Sequence, residues 1–391
     1  MRIGVITGSF LPNVGGMEWK VHHLTEGYAR RGHDVTLFTH RPRILPGPVR
    51  LPVAPSYRIE RSSLPIPGFG RWGLTRWLFR RAVLRHHRRR PFDVLQSHHL
   101  GIPTQIADDV KRITGLPVVA TTCGGDVQVL RELGYGERLD PRIDRLVRNN
   151  LKRVDVVGSI SSSMREALAK LEVAARVVDI PNGVAWDEFQ TGPSRLLRDR
   201  LGLDDEGVLI LSVGRNHPVK GYAHGIRAFA RLASRHPSAH YALVGRQVQQ
   251  LAPLVSEVGV GGRVHLVGPL PMAEMPAVFH SADVFFNPSL MEGFAQVNAQ
   301  ALACGLPCVL TDAPGNRDAA EGGGALVARS SDEASMAGAL DRLLGDAALR
   351  GRLGREAHRA SRRYAWESIA EQYLEILQSL ANGKTRCRTS T

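Results

Sequence analysis

The chain repeats one pattern of hydrophobic and polar positions. Short apolar runs rich in β-branched residues recur at strand length, and a longer stretch with helical spacing follows most of them. Twelve such runs predict strands: Arg2–Thr7, Asp34–Thr39, Val94–His98, Val118–Thr122, Asp155–Ser159, Val177–Ile180, Val208–Val213, Tyr241–Val244, Val264–Val267, Val284–Asn287, Cys308–Thr311 and Ala325–Val327.

Helical patterns lie between these runs, for example at Trp19–Arg31, Gly225–Arg235 and Trp366–Leu380. Strands that alternate with helices form parallel sheets with both faces covered. Six strands followed by six more predict two doubly wound α/β domains. We expect the link between them near Pro181–Arg200, where Pro-Asn-Gly supplies turn chemistry.

Composition narrows the class of protein. Hydrophobic residues make up 43% and charged residues 23%, which is typical of a globular enzyme and excludes a disordered chain. No apolar stretch is long enough to span a membrane. The first residues read as a strand and not as a signal peptide. Four scattered cysteines indicate no disulfide framework, and we expect a reducing, cytoplasmic location.

The net charge is unusual for such an enzyme. It is +14 at pH 7, from 51 basic and 37 acidic residues. A surplus of this size favours anionic partners, whether nucleic acid, acidic lipid or phosphorylated small molecules. Composition alone does not choose among them.

A first glycine motif lies between the first strand and the first helix. It contains Gly15 and Gly16, followed by Glu18. Paired glycines allow a ligand to approach the backbone, and the N-terminus of the helix that follows favours a phosphate. The same glycines also suit an ordinary strand-to-helix turn, so the motif leaves both interpretations open.

A second motif follows the strand that ends at Val213. Gly214 and Arg215 come first, and Lys220 lies five residues after Arg215. Two cations on one strand-to-helix loop can neutralise a diphosphate, with arginine as a planar fork and lysine as a point charge. Solvated surface charge is the alternative.

The third motif runs from Asn287 to Gln300. The pattern predicts a strand that ends at Asn287, a loop that carries Glu292, and a helix that begins near Gly293. Glu292 either stabilises the helix N-terminus or accepts hydrogen bonds from sugar hydroxyls. The free N–H groups of Phe294, Ala295 and Gln296 suit phosphate oxygens. The amide of Gln300, two turns along, suits a vicinal diol.

Taken in order, these motifs resemble the retaining glycosyltransferases of family 4, which have the GT-B fold. The resemblance runs from Ile3 to the helix at Trp366, and it adds three further segments: Arg31 to Val35, Pro181 to Val184, and Ala303 to Pro307. It implies two Rossmann-like domains that face each other across a cleft. The implied bounds are 1–185 for an acceptor-binding domain, 186–364 for a nucleotide-sugar-binding domain, and 365–391 for a helix that returns to the first domain and ends in a basic tail.

The resemblance also implies roles for single residues. Arg215 and Lys220 would hold the donor pyrophosphate, and Glu292 would bind hydroxyls of the donor sugar, so these three are the candidate catalytic residues. The implied donor-binding residues are Gly15, Gly16, Gly214, Phe294, Ala295, Gln296, Gln300, Val267 and Leu270, with the base near 267–270. Asp126 would face the acceptor. The base stays open among uridine, guanosine and adenosine, with UDP as the working expectation.

Two positions depart from the family pattern. Gln300 replaces a glutamate, which predicts weaker nucleotide binding because a charge-assisted hydrogen bond is lost. Cys123 replaces a histidine near the reacting centre, and a thiol is a poor hydrogen-bond partner for a sugar hydroxyl. Either the reaction tolerates this change, or His98 or His99 supplies the missing group. A small buried residue is the simplest interpretation of Cys123, ahead of a covalent nucleophile.

The implied chemistry is front-face displacement with retention, in which fixed cations stabilise the leaving diphosphate. No sequence cluster has the spacing of metal ligands, so we expect a metal-independent enzyme without a cofactor. The nucleotide sugar and a hydroxyl acceptor are its expected partners. The acceptor is a cell-envelope or lipid-linked saccharide, or a small-molecule aglycone.

A basic stretch at Arg71–Arg90 contains eight arginines, two histidines and three aromatic residues. As an amphipathic helix it suits an anionic membrane surface, which would make the enzyme peripheral on the inner face of the membrane. Packing on the first domain with a solvated basic face is the alternative. No base-reading module accompanies the stretch, so we expect no nucleic acid partner.

Two other functions remain open. The changes at Cys123 and Gln300 also suit a glycosyltransferase-like protein that binds nucleotide without transferring sugar. The positive charge alone suits a non-enzymatic protein that docks on membranes, and its salt-sensitive anion binding would survive the loss of Arg215 and Glu292.

Overall fold

The computed structural model describes residues 1–13, 15–40, 51, 54–62 and 71–388. The chain divides into two compact units. Unit 1 comprises Met1–Asn182 together with the segment that starts at Trp366, and unit 2 is the continuous stretch Gly183–Ala365. Each unit is built on its own sheet.

Unit 1 contains a seven-stranded sheet. Its strands are β1 Arg2–Thr7, β2 Asp34–His40, β3 Arg58–Ser62, β4 Val94–His98, β5 Val118–Thr121, β6 Val156–Ser159 and β7 Arg176–Asp179. They lie in the order β3-β2-β1-β4-β5-β6-β7, and every neighbouring pair is parallel. The sheet order reverses between β1 and β4, where Thr7 pairs with His98.

In the described part of the chain, six α-helices belong to unit 1: α1 Gly16–Arg30, α2 Arg71–Arg89, α3 Ile102–Thr114, α4 Pro141–Leu151, α5 Ser162–Ala169 and α14 Trp366–Arg388. Helix α14 follows unit 2 in the chain but packs against α1. Its inward residues Ile369, Tyr373 and Leu377 are completely buried.

Unit 2 contains a six-stranded sheet of the same kind. Its strands are β8 Leu209–Val213, β9 His240–Val244, β10 Val264–Val267, β11 Val284–Asn287, β12 Cys308–Thr311 and β13 Ala325–Ala328. All pairs are parallel, in the order β10-β9-β8-β11-β12-β13. This is the order of the Rossmann fold, with its reversal between β8 and β11.

The helices of unit 2 are α6 Leu196–Leu201, α7 Tyr222–Ala230, α8 Ala252–Glu257, α9 Met275–His280, α10 Gln296–Ala303, α11 Arg317–Ala320, α12 Glu333–Gly345 and α13 Ala347–Ser361. Residues such as Ile226, Phe229, Tyr241 and Phe286 form the core on one side of the sheet. Burying each of these large side chains stabilises the fold by about 1.5–3 kcal/mol.

The structure confirms the predicted pair of doubly wound α/β sheets. All twelve predicted strands are present within one or two residues of their expected ends. Strand β3 is an addition. Its sequence, Arg-Ile-Glu-Arg-Ser, carries charge on both faces, because β3 lies at the edge of the sheet where water solvates it.

Helix boundaries differ more from the prediction. Helix α7 spans Tyr222–Ala230, so it ends before the helical pattern that reaches Arg235. Helix α14 continues to Arg388, through most of the predicted basic tail, and residues 389–391 lie outside the described residues. No helix in the described ranges combines the length and the hydropathy that crossing a membrane requires.

Candidate functional site

The carboxyl ends of β8 and β11 bring two of the predicted motifs together in unit 2. The sheet order reverses between these strands, and in open parallel sheets ligands bind in the crevice at that point. Gly214 and Arg215 follow β8, and the loop that contains Ser289 and Glu292 follows β11. The topology therefore places the expected chemistry at one edge of one sheet.

Two glycines shape the first of these loops. Gly214 has φ of +152°, and a Cβ there would lie 2.7 Å from Oη of Tyr222. Gly221 has φ of +62°, and a Cβ added there would overlap the carbonyl oxygen of Pro288. No other residue fits either position, because both the backbone conformation and the space exclude a side chain. The loop after β8 consequently packs directly on the loop after β11.

Lys220 and Glu292 meet where these loops pack together. The Lys220 ammonium lies 2.6 Å from Oε1 of Glu292, and both side chains are mostly buried. The N–H of Leu290 donates to the carbonyl oxygen of Val219, which fixes the two loops together. The structure thus joins two of the three candidate catalytic residues in an ion pair.

Arg215 is the third candidate, and it is exposed. Its guanidinium forms no hydrogen bond or ion pair with any residue in the part of the chain that the structure describes. Burial, together with the positive charges of Arg215 and Lys220, lowers the pKa of the nearby His217. The loop after β8 is therefore an electropositive surface with one cation available to an anion.

The helix after Glu292 begins later than the sequence predicts. Helix α10 starts at Gln296, and Ala295 is its extended N-terminal residue. Among the described residues, the N–H groups of Gln296 and Val297 have no acceptor. These N–H groups are open to an anion. Gln296 belongs to the predicted set of Phe294, Ala295 and Gln296, and the anion contact of that set stays a prediction.

Phe294 and Ala295 are both buried. The Phe294 ring packs on Tyr364 with a centroid separation of 5.2 Å, so its side chain belongs to the core of unit 2. Gln300 is half-buried on α10, and its amide forms no hydrogen bond within the described ranges. Its predicted contact with a ribose stays a prediction.

The predicted base site lies on β10 and the loop after it. The carbonyl oxygen of Val267 accepts a hydrogen bond from Gly245, and Leu270 is half-buried. Strand β10 is two strands away from β8, which at the usual strand spacing is about 10 Å. This separation suits a ligand of the length of a nucleoside diphosphate.

The corresponding point in unit 1 lies between β1 and β4. Gly15 is extended, and Gly16 begins α1. A Cβ on Gly15 would lie 2.6 Å from the carboxylate of Glu18, which is buried in the first turn of the helix. A negative side chain therefore already lies at this helix N-terminus, where it interacts favourably with the helix dipole.

Asp126 has a structural role that its predicted acceptor-facing position did not include. It is buried, and its carboxylate accepts hydrogen bonds from the backbone N–H groups of Leu100, Cys123 and Gly124. These bonds hold the turn after β5. Burial and the charge of Asp126 raise the pKa of the Cys123 thiol to about 12, which argues against a thiolate nucleophile.

The two candidate histidines differ in environment. His98 is completely buried, and neither ring nitrogen has a partner among the described residues. Burial and the charge of Lys20 hold its pKa far below the usual value. His99 is bonded to Glu137 at 2.9 Å. Burial opposes its positive charge, but the hydrogen bond to Glu137 and the charge of Asp126 together raise its pKa.

Lys20 is a residue that the sequence analysis missed. It is 3% exposed, and its ammonium donates to the carbonyl oxygen of Thr122 at 3.1 Å. Burial lowers its pKa, while Cys123 and Asp126 act in the opposite direction. The signal was present, since Lys20 occupies the apolar face of α1 with Leu24 and Tyr28 one and two turns later.

No group of three or more histidine, cysteine, aspartate or glutamate side chains in the described ranges is arranged to hold a metal ion. Two side-chain cations, Arg215 and Lys220, lie where a donor diphosphate is expected. The site therefore combines two cations, Arg215 and Lys220, with one carboxylate, Glu292, and this combination suits an anionic ligand.

Comparison with known proteins identifies the family. Residues 14–188 match the family described as Glycosyltransferase Family 4, and residues 194–360 match Glycosyl transferases group 1. A relative from Frankia alni, D-inositol 3-phosphate glycosyltransferase, is 30% identical over 384 residues, which cover 93% of this chain and 94% of the relative.

Solved structures with the same fold extend along the whole chain. Sucrose-phosphate synthase from Thermosynechococcus elongatus superposes with a TM-score of 0.81 at 22% identity, covering 98% of this chain and 99% of that one. The Anabaena protein HepE in complex with UDP-glucose gives a TM-score of 0.77 at 20% identity, covering 97% and 100%. The predicted GT-B fold is confirmed, and the chain belongs to the group 1, family 4 glycosyltransferases.

Proposed function

We propose that this glycosyltransferase uses a UDP sugar as its donor. It transfers the sugar to the acceptor with retention of the anomeric configuration. The observation that carries the proposal is the cluster of Lys220, Glu292 and Ser289 at the reversal point of the unit 2 sheet, beside the exposed Arg215. Support for the nucleotide comes from HepE, whose structures contain UDP and UDP-glucose.

In this proposal, different residues of unit 2 bind the diphosphate, the sugar and the nucleoside of the donor. Arg215, Lys220 and the N–H groups of Gln296 and Val297 bind the diphosphate oxygens. Glu292 accepts hydrogen bonds from hydroxyls of the donor sugar. The amide of Gln300 takes the ribose, and the base lies toward Val267 and Leu270.

In the proposed reaction, the bond between the sugar and the diphosphate oxygen breaks while the acceptor oxygen bonds to the anomeric carbon on the same face. The acceptor proton passes to the departing diphosphate. Fixed cations and helix N–H groups stabilise the charge that develops on the diphosphate, which is the largest catalytic effect such a site offers. Because two side chains neutralise that charge, we propose that transfer is independent of metal.

The acceptor that we propose is a phosphorylated polyol. The curated relatives at 28–30% identity are named D-inositol 3-phosphate glycosyltransferases. The net charge of +14 suits an anionic acceptor as well as an anionic donor. Inositol 3-phosphate is therefore the first acceptor to try.

A lipid-linked acceptor is the second candidate, and helix α2 favours it. Leu74 and Trp77 on this helix are 45% and 42% exposed, and the guanidinium of Arg81 lies 5.2 Å from the Trp77 ring. Exposed apolar side chains among arginines suit an anionic membrane surface. Cosedimentation with phosphatidylglycerol vesicles tests this, with Trp77→Ser as the variant and phosphatidylcholine vesicles as the control.

The experiment for the main proposal has two steps. The melting temperature is first measured with UDP, GDP and ADP and their common sugar conjugates, with EDTA present. A ligand at a hundred times its Kd stabilises the fold by about 2.7 kcal/mol, which is easily detected. The UDP sugar that binds is then incubated with inositol 3-phosphate, and the anomeric configuration of the product is read by NMR.

A shift with UDP and an anomer like that of the donor support the proposal. Inverted product overturns retention, and transfer that needs added Mg²⁺ overturns metal independence. A protein that binds UDP sugars but transfers to no acceptor is a pseudo-enzyme. If no nucleotide raises the melting temperature, the result favours a non-enzymatic membrane-docking function.

A further inference from the structure

Three asparagine side chains lie buried together beneath the loop that carries Glu292. Asn287 ends β11, Asn298 belongs to α10, and Asn316 precedes α11; each is at most 4% exposed. The amide nitrogen of Asn287 lies 2.8 Å from Oδ1 of Asn298 and 3.2 Å from Oδ1 of Asn316. The amide nitrogen of Asn298 donates to that same Asn316 oxygen at 2.9 Å.

Backbone groups of Ser289 fix the direction of this network. The N–H of Ser289 donates to Oδ1 of Asn287 at 3.2 Å, so this oxygen must face the loop and the amide nitrogen must face inward. At the other end, Asn316 donates to the Thr311 hydroxyl, which donates to the carbonyl oxygen of Ser289. Both ends of the network therefore hold Ser289, and every amide orientation in it is determined.

The hydroxyl of Ser289 lies between two acceptors. It is 2.6 Å from Oδ1 of Asn287 and 2.7 Å from Oε1 of Glu292. A hydroxyl has one proton, so it donates to one of these oxygens at a time. The same Glu292 oxygen also receives the Lys220 ammonium at 2.6 Å. While Lys220 stays there, Glu292 does not need the serine proton.

Binding of a diphosphate changes which groups donate hydrogen bonds to Glu292. The diphosphate attracts Lys220, and a carboxylate that is mostly buried then loses its cationic partner. A buried carboxylate without a donor is unfavourable, and a hydroxyl that is already within hydrogen-bond distance restores one at no cost in side-chain ordering. Asn287 keeps the Ser289 N–H as a donor after the hydroxyl turns away.

We propose that Ser289 is a positioning residue whose hydroxyl transfers its hydrogen bond from Asn287 to Glu292 when a diphosphate draws Lys220 away. The network of Asn287, Asn298, Asn316 and Thr311 holds the Ser289 backbone so that this exchange needs only rotation of the hydroxyl. Glu292 is thereby kept in place to receive the donor sugar. This inference rests on the proposed function, since it takes Lys220 as the diphosphate ligand and Glu292 as the sugar ligand.

The test is a double-mutant cycle on UDP affinity, measured by isothermal titration calorimetry with the full-length protein. Ser289→Ala is expected to weaken UDP binding about tenfold, because the diphosphate must then leave Glu292 without a donor. In a Glu292→Gln background the same serine change is expected to have less than a twofold effect. Glu292→Gln alone is expected to bind UDP more tightly than wild type, since no ion pair has to be broken.

The control is Ser281→Ala, another buried serine of unit 2, whose hydroxyl is bonded to backbone groups of Leu197 and Ala277. It is expected to leave UDP affinity unchanged. If Ser289→Ala does not fold, Thr311→Val takes its place, because it releases the Ser289 carbonyl. Thr311→Ser, which keeps the hydroxyl, is then expected to restore UDP affinity to within twofold of wild type.

Equal losses in both backgrounds would show that Ser289 contacts UDP directly and would overturn the exchange. A lower melting temperature with unchanged UDP affinity would make the serine purely structural and would also overturn it. These outcomes leave the proposed function intact, because wild type still binds UDP. If the wild-type protein binds none of UDP, GDP and ADP, both the hydrogen-bond exchange at Ser289 and the proposed function are overturned.

Discussion

The two sheets reverse their strand order at equivalent points, but the polar side chains at these points differ in exposure and in hydrogen-bond partners. In unit 2, between β8 and β11, Arg215 is exposed and Lys220 and Glu292 are paired with each other. In unit 1, between β1 and β4, Lys20, His98 and Asp126 are buried, and two of them are bonded to backbone groups. One topology therefore presents an exposed cation beside an ion pair in one unit and a buried polar cluster in the other.

The difference teaches that topology locates a crevice without determining its use. The fold places loops after the first and fourth strands in both units. Whether they bind a ligand depends on which charged side chains a ligand can reach: Arg215 in unit 2 is exposed, whereas Lys20 and Asp126 in unit 1 are buried. Changes in unit 2 should therefore alter catalysis, while changes in unit 1 should alter stability.

The largest expected effect is that of Lys220→Ala. It removes a cation that stabilises the leaving diphosphate, and we expect kcat/KM for sugar transfer to fall about a thousandfold with little change in melting temperature. Arg235→Ala, which removes an exposed arginine paired with Asp341, is the control and should keep full activity. A Lys220→Ala enzyme that transfers sugar at the wild-type rate would remove Lys220 from the site.

In unit 1, Asp126→Ala is expected to act on stability. It leaves three backbone N–H groups without an acceptor, two of them in buried hydrogen bonds, which costs about 3–4 kcal/mol and lowers the melting temperature by about 10 °C. Asp140→Ala removes a carboxylate that accepts one exposed N–H at the start of α4, and should cost about 1 kcal/mol. Equal shifts in the two variants would contradict the structural role of Asp126.

A smaller effect concerns acid sensitivity. Burial, helped by the nearby His22 and Arg30, lowers the pKa of His23 in unit 1 to about 3. The unfolded chain takes up this proton near pH 6.5, so the stability contributed by the neutral ring is present above pH 6.5 and is lost as the pH falls toward 3.

His23→Phe removes this titration while it keeps a ring stacked on Trp366. Between pH 7.5 and 4.5 the variant should lose about 2–3 kcal/mol less stability than wild type. Urea unfolding at the two pH values measures the difference. If the stability of the two proteins depends on pH in the same way, His23 takes up its proton in the folded state as readily as in the unfolded chain.

The smallest effect is expected from Cys123→His, which restores the residue typical of the family. Because the thiol is neutral and the turn is held by Asp126, activity should stay within about threefold of wild type or rise. Steady-state rates with the identified donor provide the measurement. A hundredfold loss would give the Cys123 thiol a specific role.

Much of this organisation could be predicted from the sequence, because β-branched runs and glycines such as Gly214 have strong local preferences. Three features could not. Strand β3 has no apolar face, since it lies at the sheet edge. Helix α10 begins at Gln296, after Phe294, which packs against a residue far along the chain, Tyr364. The asparagine network joins residues that resemble turn or surface positions until the fold brings them together.

The position of α14 also bears on how the protein is made. Tyr373 of this helix lies against β6, where a side chain on Gly158 would approach its hydroxyl to 2.8 Å. The ribosome synthesises this helix only after all of unit 2, so the earlier part of unit 1 must wait with an apolar face uncovered. Unit 2 is continuous and can fold during that delay. Synthesis therefore begins with unit 1 but completes it last, which makes the uncovered face a natural target for chaperones.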